Sequence, residues 1–532
     1  MGPSKGHNIS NMECHQINLL MKVAFKDVFL LKQNKRESND FNSCINRVSN
    51  MSEMREKISK NAIVTAIALA FFGLTTFIYN VLIGRIYGAE VLGLANTAIS
   101  IAFFIGLFVA FFSNASNKIT AEYLGSGENE SANYLITFSI ISTAVIGLAI
   151  FFFLLTSMSL FMKTFNLDNT IFLQILFLII LRGIFGVFRG IYYGTHRLNQ
   201  YLKIIVASSV IFMIMLIPFC FTLLPLLLPF IVMYSVFVVA SVYLFKGHFT
   251  FRVPKGIKRE IQKYALSFAS IAIIGALSGM AKNNLGVMLS AMFLNPTQVG
   301  YYSAANSFMR PLSYLPTILP YALLPVISYE FGKSNIDGIK KTLNRTVRVW
   351  AVILGIITGL GIIYSSLFLD IFFGPEYLTA VLPLIILITG FYFSSIIIPM
   401  ISTLSGTKYV RISTLTGILG FITSAIAFIL LIPNYGIVGT ALGIAIGNLI
   451  MSIVPFYFSR KFFDFKFRNF FYPFVKFVVS LTLILFLFIN DQRLLYTIGG
   501  ASFTIFYLLA NREEAIYLYE EAKNQLKVKM WG

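Results

Sequence analysis

The chain has 532 residues, of which 57% are apolar and only 12% charged, with a formal net charge of +20 and a mean hydropathy of +0.78. A soluble domain covers its surface with roughly 25% charged residues, so composition excludes an ordinary soluble protein. The basic excess would suit a nucleic-acid binder, but Lys and Arg gather in short loops between apolar runs, which excludes nucleic acid as a partner too.

Residues 1–57 form a polar, basic N-terminal tail rich in Asn, Ser and Lys. It reads as disordered, or as sequence ahead of a true start at Met51 or Met54, where a short basic lead enters the first apolar run. Its stretch Ile17 to Leu31 reads otherwise as an amphipathic segment on a membrane surface. The runs that follow are long enough to cross a bilayer, which takes about 20 apolar residues. Predicted spans lie near Ala62–Ile83, Leu92–Phe112, Leu135–Ser157, Ile171–Val187, Lys203–Pro218 and Leu224–Phe245. A second set lies near Ala265–Met288, Tyr302–Val326, Val347–Phe368, Ala380–Leu404, Ile412–Ile432 and Ile437–Tyr457. Two more lie near Phe470–Ile489 and Leu495–Ala510. The expected fold is therefore an all-α polytopic membrane protein of about fourteen transmembrane helices.

Alternate loops differ in charge. Those holding Arg197 and Lys203, Lys246 to Lys263, Lys333 to Arg348, Lys408 and Arg411, and Arg460 to Arg468 are basic. The loops between them carry Glu90, Asp168, Asp370, Glu376 and Asp491 with few cations. The loop from Lys118 to Glu130, net acidic, breaks the pattern. The positive-inside rule then places both chain ends in the cytoplasm of a cell bounded by a plasma membrane.

An internal repeat is visible. Val91-Leu-Gly93-Leu matches Val299-Gly300-Tyr-Tyr, each opening a span; Gly125 then corresponds to Gly332, and Gly194-Thr-His-Arg to Gly406-Thr-Lys-Tyr. The expected organisation is a six-helix lobe over 58–250, a second over 251–462, two additional helices over 463–510 and a cytoplasmic tail over 511–532. Transporters are often built from such repeats, with the substrate path between them.

At these residues the chain resembles the polysaccharide biosynthesis family of Wzx-type oligosaccharide flippases, in the superfamily that also holds MATE exporters and the lipid II flippase. The resemblance rests on Ile58-Ser-Lys-Asn, Ile83-Gly-Arg-Ile-Tyr-Gly-Ala-Glu-Val-Leu-Gly, Val299-Gly-Tyr-Tyr-Ser-Ala-Ala, Phe372-Phe-Gly-Pro-Glu-Tyr and Ile432-Pro-Asn-Tyr-Gly-Ile-Val-Gly-Thr-Ala. Their order and spacing, from Met51 to about Tyr457, carry it. The resemblance implies two six-helix lobes around a central cavity, alternating access, and a lipid-linked oligosaccharide as cargo. Where the family often has an Asp in span seven, this chain reads Lys282-Asn-Asn, so no role of that acid carries over.

Charges inside a span are paired, snorkelling or functional. Here the embedded ones are positive: Arg310 before Pro311, Lys282 beside Asn283 and Asn284, Arg182 with Arg189 below it, and Arg85 closing the first span. Arg85 has Glu90 as an alternative partner, and Arg182 and Arg189 read as anchors at the inner face. Guanidinium groups recognise phosphate through forked hydrogen bonds. Arg310, Lys282 and Arg85, with Asn283 and Asn284, are thus the expected substrate-binding residues for the pyrophosphate of a polyprenyl-linked sugar. Enzyme signatures are missing: no phosphate-binding Gly-rich loop is found, His196 and His248 stand alone, and Cys14, Cys44 and Cys220 form no metal pattern. No cofactor, metal or catalytic residue is expected. The reading is a flippase in a prokaryotic cytoplasmic membrane, working among membrane lipids beside a glycan polymerase or glycosyltransferases. The alternatives are a MATE-like small-molecule exporter and a membrane polysaccharide polymerase or ligase.

Overall fold

The computed structural model describes residues 37–222, 224–246, 258–277, 282–488 and 491–520. The chain divides into two compact units, 1–62 and 63–532. In the first, the backbone is helical from Glu37, and the amphipathic stretch expected at Ile17 to Leu31 lies outside the described residues. All packing below belongs to the second.

The described regular structure is helical throughout, as a chain in hydrocarbon requires, because a helix satisfies its own backbone polar groups. The helices are α1 (Glu37–Val109), α2 (Ser113–Gly125), α3 (Asn129–Thr156), α4 (Met158–Phe165), α5 (Asn169–Gly194), α6 (Leu198–Leu216) and α7 (Leu228–Lys246). The second half has α8 (Arg259–Ala276), α9 (Lys282–Phe293), α10 (Pro296–Tyr314), α11 (Ile318–Gly332), α12 (Ile336–Ile363), α13 (Ser365–Phe372), α14 (Val381–Ile396), α15 (Ile398–Ser405) and α16 (Val410–Phe463). It is followed by α17 (Arg468–Leu487) and α18 (Gln492–Ala510).

Two of these are hairpins rather than rods. In α1 the Nδ2 of Asn96 donates to Asn80 Oδ1 at 3.0 Å, although sixteen residues of straight helix span about 24 Å. The chain therefore reverses at Gly88, whose φ of 82° and ψ of 178° belong to a region open essentially to glycine alone. In α16 the same device is Gly436, φ 55°. Beyond it Gly443 packs against Phe428, and Gly447 against Ser424. At the start of α10 the turn uses side-chain chemistry instead. Asn295 Oδ1 accepts from Gln298 N at 2.9 Å, with Pro296 at the first helical position.

Ten stretches of described residues are long and apolar enough to cross a membrane, including both hairpins as Gly73–Gly125 and Val410–Phe463. The spans expected near Ala265–Met288 and Tyr302–Val326 are instead made of shorter pieces, α8 with α9 and α10 with α11. Val145, Leu148, Phe152 and Phe153 of α3 are exposed, the pattern of a helix that faces lipid.

The turns at Gly88 and Gly436 lie at one end of the molecule, here the hairpin end. Tyr87 Oη donates to the Phe219 carbonyl there, and Gly436 approaches Leu294. Antiparallel spans put the basic loops at the opposite, basic end. The C-terminal pair α17 and α18 docks on α12 through small residues, since lipid supplies no hydrophobic drive between helices and close packing must hold them. The Tyr507 hydroxyl sits in a notch at Gly355, 3.3 Å from the Pro473 carbonyl and 3.5 Å from that of Ala351. Tyr507→Phe is expected to cost about 1 kcal/mol, the net worth of one buried hydrogen bond. A lowered thermal midpoint in detergent is the check; an unchanged midpoint would mean this bond does not help dock the pair.

Candidate functional site

The matched segments of the two halves meet. A Cβ on Gly93 would stand 1.8 Å from the Pro296 carbonyl oxygen, and one on Gly300 would stand 1.8 Å from that of Ala89. Backbone touches backbone at this crossing, so both repeat glycines are obligatory for it. From there the halves stay joined toward mid-depth. Asn80 Nδ2 donates to Ser307 Oγ at 2.7 Å, the rings of Phe77 and Phe308 are 5.4 Å apart edge to face, and the Tyr314 ring covers Gly73. On the outer flank Arg85 donates to the carbonyl of Ile371 near the negative end of α13. Tyr377 Oη donates to the Gly84 carbonyl at 2.9 Å. The structure thus pairs Arg85 with a backbone carbonyl of the other half, not with Glu90, and leaves its side chain exposed. The seam closes the hairpin end.

Arg182 and Arg310 lie deeper. Each stands about 20 Å along its helix from the hairpin end at 1.5 Å per residue, Arg182 on α5 and Arg310 on α10. The Arg182 guanidinium lies 5.2 Å from the ring centres of Phe103 and Phe185 and 5.9 Å from that of Tyr234. Such a cation–π cage is worth about 2 kcal/mol or more when desolvated. Its Nε is buried without a hydrogen-bond partner. Arg182 is therefore a mid-depth cation and not an anchor at the inner face. Tyr234 and Tyr314 stand within electrostatic range of both Arg182 and Arg310. Arg189 also acts on Tyr234 and on Arg182. Among the described residues neither Arg182 nor Arg310 takes part in an ion pair.

Lys282 sits elsewhere, in a cavity of about 570 Å³ within the second half, lined by Asn306, Ser313, Ser394, Ser395 and Asn448 among others. It is the first residue of α9 and is 8% exposed. Its ammonium donates to Asn448 Oδ1, and Asn448 Nδ2 donates in turn to the Gly390 carbonyl at 3.0 Å. An amide dipole is thus its partner, with no carboxylate among the described residues. Asn306, Met309 and Ser313 turn one face of α10 to this cavity, while Arg310 lies on the neighbouring face. Arg310 and Arg182 thus both lie within electrostatic range of Tyr234 and Tyr314, while Lys282 and Arg85 occupy two other positions. Asn284 is half-buried beside Lys282, and the side chain of Asn283 lies outside the described residues.

What sequence reading missed are the neutral partners Tyr234, Tyr314 and Asn448. Asparagine inside an apolar run is a signal that was available for Asn448; nothing local marked the tyrosines. The arrangement supplies fixed positive charge and phenolic groups at mid-depth, and the Lys282 chamber has a largely apolar lining that carries Ser, Thr and Asn side chains. That chemistry suits an anion with polar, hydrogen-bonding groups attached.

The sequence matches the profile of the polysaccharide biosynthesis protein family over residues 58–330 and that of MatE over 272–431. A curated relative, an uncharacterized membrane protein of Methanocaldococcus jannaschii, is 28% identical over 272 residues, 49% of this chain and 53% of the relative. The chain thus spans about half the length of the curated relative it matches. Among solved structures, the lipid II flippase MurJ in an inward closed conformation superposes with a TM-score of 0.64 at 14% identity, covering 85% of this chain and 98% of that one. An inward-facing multidrug resistance MATE family transporter of the MOP superfamily gives 0.61 at 14% identity, over 76% and 98%. These likenesses show the fold. An all-helical fold, with Gly93 and Gly300 at one backbone crossing, and a profile match over more than half its length make the chain a member of the polysaccharide biosynthesis protein family.

Proposed function

We propose that the chain is a flippase that carries polyprenyl-pyrophosphate-linked oligosaccharide across a prokaryotic cytoplasmic membrane for surface glycan synthesis, and that it is not an enzyme. The observation that carries this reading is the pair Arg182 and Arg310. Two embedded guanidinium groups, one from each half and without a carboxylate partner among the described residues, favour a cargo with concentrated negative charge. The pyrophosphate takes the central position, and the hydroxyls of the Lys282 chamber offer partners to sugar groups. Arg85, fixed to the Ile371 carbonyl, acts on the seam. The positive-inside rule puts both chain ends in the cytoplasm.

The MatE profile match over 272–431 supports a second reading, small-molecule export on the same fold. Liposomes holding a labelled polyprenyl-pyrophosphate sugar separate the two. The flippase reading expects the label to become accessible to an outside reagent only when the protein is present. Failure on several such lipids, with movement of a soluble solute instead, would establish the exporter.

A further inference from the structure

A second cationic concavity lies at the basic end. Two segments line it, the first turns of α12 and the turn from α16 into α17, and the stretch after α18 borders it through Glu513, Glu514 and Tyr517. Its volume is about 580 Å³, and Lys340, Lys341, Arg345, Arg348, Lys466 and Arg468 line it, against Asp337 and Asp464. Several of these cations are already engaged. Lys340 lies 3.6 Å from Asp337, Arg348 pairs with Glu514 at 3.0 Å, and Arg345 stacks 3.7 Å above the Tyr517 ring. Stacking leaves the guanidinium edge of Arg345 available. Lys341, Lys466 and Arg468 have no carboxylate partner among the described residues.

The floor of this concavity is built. Asn344 Oδ1 accepts from Lys466 N at 2.9 Å and from Asn469 Nδ2 at 2.7 Å, which pins the turn before α17 onto α12. The first turn of α17 has neither a side-chain cap nor an acidic residue; the N–H groups of Asn469 and Phe470 donate to the Lys466 and Phe467 carbonyls, and the positive end of the helix dipole adds to the field. Residues Arg468–Leu487 form a candidate span, so the concavity lies where a span leaves the apolar layer. General enrichment of Lys and Arg at this end explains cations spread over a surface. It does not explain their convergence from two segments onto one pinned recess.

We propose that this recess is a binding site for a phosphate-bearing anion, held by Lys341, Lys466 and Arg468 with the edge of Arg345. A lipid phosphodiester and a soluble phosphate share that chemistry. To distinguish them, the full-length protein carrying Arg182→Met and Arg310→Ala, which removes the central cations from the measurement, is examined with two probes. Inorganic pyrophosphate is titrated calorimetrically in detergent. Phosphatidylglycerol retained from mixed phosphatidylcholine nanodiscs is counted by native mass spectrometry.

Lys341→Ala with Arg468→Ala is expected to weaken the bound probe about tenfold or more. Lys408→Ala with Arg411→Ala, which removes equal charge at the same end, is expected to change it less than about twofold. Retention of the lipid alone identifies a headgroup site, and pyrophosphate alone a soluble ligand. If neither probe binds, or both pairs weaken binding equally, the site does not exist and only surface charge remains. Should the double variant unfold, Lys341→Gln at an exposed side chain applies the same test with a smaller change.

Discussion

Arg310→Ala is expected to lower the initial rate of label exposure about 10- to 100-fold in the liposome assay, because a hydrogen bond to a charged group is worth about 1.5–3 kcal/mol. The side chain makes no ion pair among the described residues, so its removal strands no charged partner and the thermal midpoint should hold. Arg310→Lys keeps the charge but loses the fork, and an intermediate rate is expected. Arg182 requires a different replacement, because truncation would leave a void among Phe103, Phe185 and Tyr234. Arg182→Met fills that volume. Exchanging a buried charge for an apolar side chain is often neutral or stabilising, so Arg182→Met should keep or raise the midpoint while transport falls comparably. Loss of stability with unchanged transport would make both residues structural and remove the basis for an anionic cargo.

Gly93→Leu is expected to open the hairpin end. A Cβ at this position meets the Pro296 carbonyl at 1.8 Å, and the obstruction is backbone, which no rotamer change relieves. Overpacking typically costs about 1–3 kcal/mol, and each 1.4 kcal/mol shifts the closed–open equilibrium about tenfold. Gly300→Leu should act alike, since its Cβ meets the Ala89 carbonyl. The readout is Ser307→Cys in a cysteine-free background, because Ser307 is buried in the seam beside Asn80. An impermeant maleimide added at the hairpin end should label Ser307→Cys at least about tenfold faster in Gly93→Leu than in the parent. Equal labelling with normal transport would show that this crossing is not a gate. Alanine at Gly93 already places the offending atom, so Gly93→Ala should show the same direction of change.

The two predictions draw on different kinds of legibility. Gly93 and Gly300 were recognisable in the sequence as matched positions of a repeat, yet nothing in it said that they face each other. Arg310 was recognisable as a charge in an apolar run, yet its counterpart looked like Arg85 and Lys282 rather than Arg182. Lys282 finds Asn448 across 166 positions of chain, and Arg85 reaches Ile371 across 286.

By itself the sequence determined that this is a helical membrane protein, where most of its spans run, and that its embedded charge is positive. Each of these follows from local composition, since transfer into hydrocarbon acts residue by residue over about 20 positions. Only the tertiary structure decided which cations lie near the same tyrosines, which glycines form the seam, and that two basic segments converge on one recess. Those outcomes depend on how each helix is rotated and how closely backbones approach. Helices that are apolar on every face carry no periodic stripe from which that rotation could be read.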